Sequence, residues 1–260
     1  MSAPEFLLPN WEAPDNVRAA TSLRVGGVSQ GNYAGFNLGD HVGDDPDAVA
    51  GNRRLLKGRL GLPAEPRWLA QVHGTDVLRV TGAAPDTPPE ADAAWTDEPG
   101  QVLAILTADC LPVVFCNRAG TRIGIAHAGW RGLANGVLRA TVEAMTADGL
   151  GHDQLLAWLG PAIGPDSFEV GTELLETFAA QLPGAEAAFK THGHDKYLAD
   201  LYDLARLELA GLGVGSVRGG GRDTFTETDA FFSHRRDGQG GVGKAGGTGR
   251  MATLAWLAVE

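Results

Sequence analysis

Residues 101–129 read QVLAILTADCLPVVFCNRAGTRIGIAHAG. Three short apolar runs, QVLAILTADC, LPVVFCN and RIGIAHAG, are separated by polar and glycine-containing turns, a spacing that predicts consecutive strands. QVLAILT and PVVF are nearly continuous apolar stretches rather than alternating ones, so these strands are expected to be buried on both faces. The following stretch, WRGLANGVLRATVEAMTADG, carries Leu133, Val137, Leu138, Val142 and Met145 at helical spacing and predicts one amphipathic helix.

The same reading extends outward in both directions. Upstream, RAATSLRVGG is a strand candidate. A helix is predicted after GDD, where Asp45 can cap, Pro46 suits the first turn, and Val49, Leu55, Leu56 and Leu60 recur. RWLAQVHG and TDVLRV read as further strand-like stretches. Downstream, LLAWLGPAIG predicts a buried strand ending in a Gly/Pro turn, TELLETFAAQL and KYLADLYDLARLELAGLG predict helices, and MATLAWLAV predicts a closing strand. With no internal repeat or low-complexity divider, the expectation is one catalytic domain over 1–260, mixed α/β or α+β.

Charge narrows the functional classes. There are 21 Lys plus Arg against 32 Asp plus Glu, a net charge of −11. Such a surface repels phosphate backbones and disfavours nucleic acid as a partner, while leaving room for a local basic pocket that holds one small anion. MSAPEFLLPNWEAPDN has no basic leader and only a three-residue apolar run, Phe6, Leu7 and Leu8, so no membrane association is expected and the expected compartment is the cytoplasm. Cys110 and Cys116 would stand roughly 20 Å apart along an extended strand, beyond disulfide reach, and are expected to be free thiols.

Three stretches place a chemically capable side chain at the end of an apolar run: QVHGTDV with His73, TADCLPVV with Cys110, and IAHAGWRG with His127. Strand ends hold a side chain at the edge of the packed core while the backbone stays rigid. Two imidazoles and a thiolate suit zinc, and three protein ligands leave a fourth position open, as catalytic sites do. The same residues also suit a metal-free reading. Cys110 would be a nucleophile, His127 or His73 its base, and Asp109 or Asp92 the group that orients the base.

Residues 238–249, GQGGVGKAGGTG, raise the question of nucleotide binding. The pattern G-x-x-x-x-G-K-[ST] runs through Gly243 and Lys244, but Ala245 stands where a hydroxyl must meet magnesium. FFSHRRD precedes it where a buried strand is required, and Gly246, Gly247 and Gly249 oppose the helix that should follow. The stretch reads as a glycine-rich loop.

Nine stretches in order, TSLRVGGVS, NLGDHVGDDP, WLAQVHG, ADAAWTDEPG, LTADCLPVVF, AHAGWRGLANGV, LGPAIGPDSFEVG, FFSHRRDG and TGRMA, resemble the multicopper polyphenol oxidoreductase (laccase) family, also called the purine nucleoside phosphorylase family or the peptidoglycan editing factor family. The resemblance runs from about residue 18 to the C-terminus. It implies that His73, Cys110 and His127 bind one zinc ion, and it implies packed mixed β-sheets flanked by helices in a cysteine-hydrolase-like α+β architecture. The activity it implies is phosphorolysis of adenosine, inosine and methylthioadenosine, accompanied by adenosine deamination, with nucleoside and phosphate as partners and no protein partner legible. Deamination would use a scaffold other than that of the zinc deaminases, whose HxE and PCxxC signature is absent.

Phosphorolysis needs an anion clamp, for which Arg24 and Arg131 are the candidates. Either arginine would equally serve as an ordinary surface partner of a carboxylate. Asn37 and His41 are candidates for sugar or base contacts, and Asp109 for an acid/base or strand-end role. Seven histidines, with His152, His192, His194 and His234 in scattered polar contexts, do not supply a laccase copper set. Copper could still replace zinc and support polyphenol oxidation. The editing name implies a different class, amidase-like hydrolysis of a cell-wall precursor. Two departures stand out: QGGVGKAGG intervenes where similar proteins run almost directly from RRDG to TGR, and GGGRDTFTET lacks a cysteine expected in many of them.

Overall fold

The computed structural model of the chain describes residues 6–238 and 247–259. Residues 239–246 of the glycine-rich loop expected at 238–249 lie outside the described residues. In chain order the elements are β1 (Phe6–Leu7), β2 (Val17–Ser22), α1 (Pro46–Leu60), β3 (Val77–Arg79), β4 (Ala93–Thr96), β5 (Val102–Thr107), β6 (Leu111–Asn117), β7 (Ile123–Ala128), α2 (Trp130–Ala134) and α3 (Val137–Thr146). They continue with β8 (Leu155–Leu159), β9 (Glu169–Gly171), α4 (Thr172–Gln181), β10 (Phe189–Thr191), β11 (Lys196–Ala199), α5 (Leu201–Gly211), β12 (Ser216–Gly219), α6 (His234–Asp237) and β13 (Met251–Leu257).

Three mixed or antiparallel sheets organise these elements. A four-stranded antiparallel sheet has the order β1-β2-β13-β5, and a six-stranded mixed sheet has the order β12-β8-β6-β7-β4-β3. A small antiparallel sheet of order β10-β11-β9 is formed from the C-terminal half of the chain. The two large sheets pack face to face: Leu103 and Ile105 of β5 and Ala255 of β13 share a core with Val114 and Cys116 of β6, Ile123 and Ile125 of β7, and Trp158 of β8. Alternation then dictates the outer layers. Ala104, Leu106, Leu254 and Trp256 turn the other way, onto Leu56 of α1 and onto Phe36 and Leu38. On the far side, Leu111, Val113 and Phe115 of β6 turn onto Leu138, Val142 and Met145 of α3 and Leu204 and Leu209 of α5. The result is helix, sheet, sheet, helix. This burial of both faces is what the uninterrupted apolar runs of β5 and β6 encode, here in mainly antiparallel neighbours.

Local signals set most boundaries. Asp45 caps α1 by accepting the Asp47 amide at 2.9 Å, and Gly61 ends that helix in the left-handed region at φ 59°. Three expectations need correction. WRGLANGVLRATVEAMTADG is two helices, because Gly136 sits at φ 90° and breaks the run between α2 and α3. KYLA pairs as β11, and α5 begins only after Asp200, whose carboxylate accepts the amides of Tyr202 and Asp203. RWLAQVHG is not a strand. Among the described residues its backbone pairs only at isolated bridges, Arg67 to Leu103 of β5 and Ala70 to Glu90, and it runs as a loop toward His73. Cys110 and Cys116 are both free thiols.

A His, Cys, His cluster at the strand ends

Sheet register assembles the site. Leu111 of β6 pairs with Ala128 of β7, so Cys110, one residue before β6, faces Gly129, one residue after β7. Ala93 of β4 pairs with Ala126, so Asp92, just before β4, faces His127, and the His127 amide donates to the Asp92 carbonyl at 2.7 Å. Three neighbouring strands therefore bring Asp92, His127 and Cys110 to one rim.

His73 arrives from the loop. Gln71 fastens that loop to the end of β5: its side-chain amide donates to the Leu106 carbonyl at 2.9 Å and its carbonyl accepts the Leu106 amide at 2.8 Å. Beyond it the chain turns sharply, with His73 itself in the left-handed region at φ 61°. The Asp92 carboxylate supports that turn by accepting the amides of Val72 at 3.1 Å, His73 at 3.0 Å and Gly74 at 2.7 Å. The same carboxylate accepts His127 Nδ1 at 2.8 Å. Because a carboxylate only accepts, Nδ1 carries the proton and Nε2 faces the cluster.

The candidate ligand atoms of His73, Cys110 and His127 all lie within 4.8 Å of one another, with Cys110 Sγ 4.0 Å from His73 Nε2. The two imidazole rings meet edge to face at 4.8 Å between centroids. Donors around a tetrahedral zinc stand about 3.3–3.6 Å apart, given metal–ligand lengths of about 2.0–2.3 Å. At up to 4.8 Å the observed cluster is open by at most about 1.5 Å relative to that spacing, a gap that side-chain closure spans. Gly129 makes that closeness possible, because a Cβ there would lie 2.9 Å from Cys110 Sγ, 3.1 Å from His73 Cδ2 and 3.5 Å from His127 Nε2.

The charges within the cluster are coupled. Burial pushes the Cys110 thiol up, but the charge and hydrogen bond of His127, with His73 behind them, bring it down to about 6. Burial also pushes His127 down, and the Cys110 charge and the Asp92 hydrogen bond more than reverse this, lifting it to about 9. Burial likewise works against the ionised Asp92, yet its bonds to His127 and to the loop amides hold it below the usual carboxylate range. Without metal the rim thus holds a thiolate, an imidazolium and a carboxylate in series.

The cluster opens onto a cavity of about 570 Å³. Apolar wall comes from Trp68, Leu69, Val72, Pro88 and Leu106, and polar wall from His41, Gln71, Thr107, His234 and Arg250. Arg53 is also in the wall, but it is committed: it ion-pairs with Asp40 at 3.2 Å, donates to the Leu38 carbonyl and stacks 4.2 Å above the Trp68 ring.

The structure brings His41 to this cavity together with His73, Cys110 and His127. Four other residues singled out in the sequence stand outside its wall. Arg24 lies over the Phe232 ring at 4.9 Å, near Asp237, and exposed Arg131 lies over Trp130 at 4.4 Å. Buried Asn37 accepts the amides of Gly39 and Arg250 at 3.0 and 2.8 Å. Asp109, in the left-handed region at φ 88°, accepts Thr224 Oγ1 at one carboxylate oxygen, and Ser233 Oγ and the Arg235 amide at the other. His234, read from sequence as one of four histidines in scattered polar contexts, is in the wall, where the Asp109 network holds the 233–235 segment. Arg250 and Thr107 were missed. The TGRMA stretch was the available signal for Arg250, whereas a threonine at a strand end carries none.

Packed mixed sheets with this cluster at their rim define a mixed α/β protein with a candidate transition-metal centre. A family model described as multi-copper polyphenol oxidoreductase laccase matches residues 18–258. The chain is 51% identical over 253 residues to the Escherichia coli (strain K12) protein named purine nucleoside phosphorylase YfiH, covering 97% of this chain and 99% of that one. It is 49% identical to a Pseudomonas aeruginosa purine nucleoside phosphorylase, covering 97% and 98% of the two chains. Among solved structures, a Neisseria meningitidis protein superposes with a TM-score of 0.89 at 47% identity, covering 98% of this chain and all of that one. YlmD from Geobacillus stearothermophilus superposes with a TM-score of 0.90 at 32% identity, covering 100% and 98%. The chain belongs to the multi-copper polyphenol oxidoreductase laccase family, and two of its relatives are named purine nucleoside phosphorylases.

Proposed function

We propose that this protein is a zinc-dependent purine nucleoside phosphorylase acting on adenosine, inosine and methylthioadenosine, with adenosine deamination as an accompanying activity. The observation that carries the reading is the convergence of two imidazoles and a thiolate in the wall of a cavity of about 570 Å³. That volume falls within the usual small-molecule range of about 300–1,000 Å³. The names of close relatives support the reaction class.

His73, Cys110 and His127 are the residues that would hold the ion, which when bound supplies Lewis acidity at an open fourth position. Asp92 fixes the His127 tautomer and the left-handed His73 turn. The Trp68, Leu69, Val72 and Leu106 wall takes the flat purine and excludes water, while His41 and His234 supply polar contacts at its edge. Asn37 and Asp109 act as positioning residues, through Arg250 and the 233–235 segment respectively. In the reaction a phosphate oxygen bonds C1′ of the ribose as the C1′–N9 bond breaks. The bonding pair leaves with the purine, which takes up the proton that hydrogen phosphate gives up.

The test is chromatography of zinc-loaded protein incubated with adenosine, with and without phosphate. Adenine and ribose 1-phosphate formed only with phosphate are the expected products, with inosine reporting deamination. No nucleoside turnover from protein carrying one zinc per chain would overturn the reading.

One observation favours a second reading. Asp92, His127 and Cys110 stand in series as in cysteine hydrolases, so a Cys110 thiolate attacking an amide of a cell-wall precursor is the alternative chemistry. Release of an amino acid from a muramyl precursor, with nucleosides untouched, would decide for it. Copper in place of zinc would supply oxidation instead, and metal analysis of protein purified without added metal separates these cases.

A further inference from the structure

The wall of the cavity carries one arginine, Arg250, whose charge no carboxylate among the described residues neutralises by contact. Arg250 directs Nη1 to the carbonyls of Thr248 and Gly249, at 2.8 and 3.2 Å, and its Nε and Nη2 have no partner among the described residues. Among the described residues it makes no ion pair, whereas Arg53 in the same wall is paired with Asp40. Asp109, whose charge acts on Arg250, has both carboxylate oxygens engaged by Thr224, Ser233 and Arg235.

The guanidinium is held in place from several sides. The Arg250 amide donates to Asn37 Oδ1 at 2.8 Å and its carbonyl accepts the Leu38 amide at 3.1 Å, so both backbone groups are pinned just before β13 begins. Gly39 leaves room for the side-chain stem, since a Cβ there would lie 2.8 Å from Arg250 Cγ and 3.2 Å from its Cβ. The NLGDH and TGRMA stretches, more than two hundred residues apart, thus meet to fix one arginine. A second polar group in the wall is also unsatisfied. Thr107 pairs with Met251 across β5 and β13, lines the cavity, and its Oγ1 is buried with no hydrogen-bond partner among the described residues. A buried hydroxyl without a partner is costly, and a ligand oxygen would remove the cost.

We propose that Arg250, with the Thr107 hydroxyl, forms the phosphate subsite of the cavity, holding the attacking anion beside the His73, Cys110 and His127 cluster. This rests on the phosphorolysis reading and assigns the clamp to a residue other than Arg24 and Arg131. Two free guanidinium donors match two oxygens of a tetrahedral anion, which lysine cannot reproduce. In a chain of net charge −11 the anion is thereby drawn to one point rather than to the surface at large.

The experiment has two arms, both on zinc-loaded protein whose fold is checked by circular dichroism. In the first, initial rates are measured against inorganic phosphate at saturating inosine for wild type, Arg250→Ala, Arg250→Lys, Thr107→Val and Arg131→Ala. Expected are a rise in phosphate KM of at least about tenfold for Arg250→Ala, a smaller rise for Arg250→Lys and for Thr107→Val, and a nucleoside KM within about threefold of wild type throughout. In the second, phosphate binding is read directly from 31P line broadening without nucleoside, and is expected in wild type and lost in Arg250→Ala. Phosphate binding and phosphate KM unchanged in folded Arg250→Ala and Arg250→Lys would overturn the proposal, as would a rise confined to Arg131→Ala. If wild type does not phosphorolyse nucleosides at all, the functional reading has failed, and the 31P arm still decides whether Arg250 holds the anion.

Discussion

Asp92 and Glu208 are both buried acids, yet the fold treats them in opposite ways. Asp92 is fully buried at the rim and accepts three loop amides and the His127 ring, which together outweigh desolvation and keep it ionised. Glu208 is 5% exposed on α5 under α3, with one long backbone contact, the Arg139 amide at 3.3 Å. There burial dominates, the Arg139 amide and charge oppose it only partly, and the carboxyl is pushed up to about 7. The two cysteines repeat the contrast. Cys110 beside two imidazoles falls to about 6, while Cys116, inside the sheet-to-sheet core, is pushed by burial up to about 12 against a weak opposing pull from Arg118. Burial by itself does not mark a functional group; the partners the fold supplies decide which charge survives.

The comparison is open to direct attack, beginning with the largest expected effect. Cys110→Ala should abolish stoichiometric zinc and lower nucleoside turnover by about a thousandfold or more while the protein stays folded. Metal analysis of the folded variant checks this, and retained zinc would remove Cys110 from the ligand set. In metal-free protein at pH 7, a thiol reagent should label Cys110 and leave Cys116 unlabelled, as judged by peptide mass spectrometry, because only the first is largely thiolate. Equal labelling would mean that the rim does not distinguish the two thiols.

Asp92→Asn keeps the shape but exchanges two acceptor oxygens for one, so the His127 tautomer and the His73 turn lose support together. A loss of about 10–100-fold in zinc affinity is expected, measured by competition with a chelator. Affinity unchanged would show that the sheet register alone holds the ligands.

Glu208→Gln should act with the opposite sign and on stability only. Burial raises the native carboxyl to about 7 while the unfolded one keeps its ordinary value of 4.5, so the native state binds the extra proton between those values. The stability this contributes is fully present below the unfolded value and is lost as pH rises through about 7. The neutral amide lacks that loss, so its melting temperature should exceed that of wild type at pH 8 and converge with it below pH 5. The difference corresponds to about 3 kcal/mol at most. A melting difference that does not change with pH would show that Glu208 is not the titrating group.

Much of this molecule was legible from its residues. Asp45 and Pro46 marked the start of α1, and the uninterrupted apolar runs of β5 and β6 announced strands covered on both sides. His73, Cys110 and His127 were identifiable because each ends an apolar run beside a turn residue, and these three do converge. The helix boundaries at Gly136 and Asp200 were misjudged because an apolar periodicity can run through a left-handed glycine or across a strand-to-helix cap. Those features depend on backbone angles that side-chain pattern does not report.

What the chain chemistry settled alone was the class of elements, the types of donor and the excess of acid over base, since these follow from local propensity and composition. Only the tertiary structure chose Asp92 over Asp109 as the group behind His127, moved His234 into the wall, and brought Arg250 and Thr107 to the same cavity. Those choices rest on antiparallel register and on contacts such as Asn37 to Arg250, which join residues 213 positions apart. A one-residue shift in strand pairing would turn every such side chain to the opposite face, and no local stretch of sequence records which register wins.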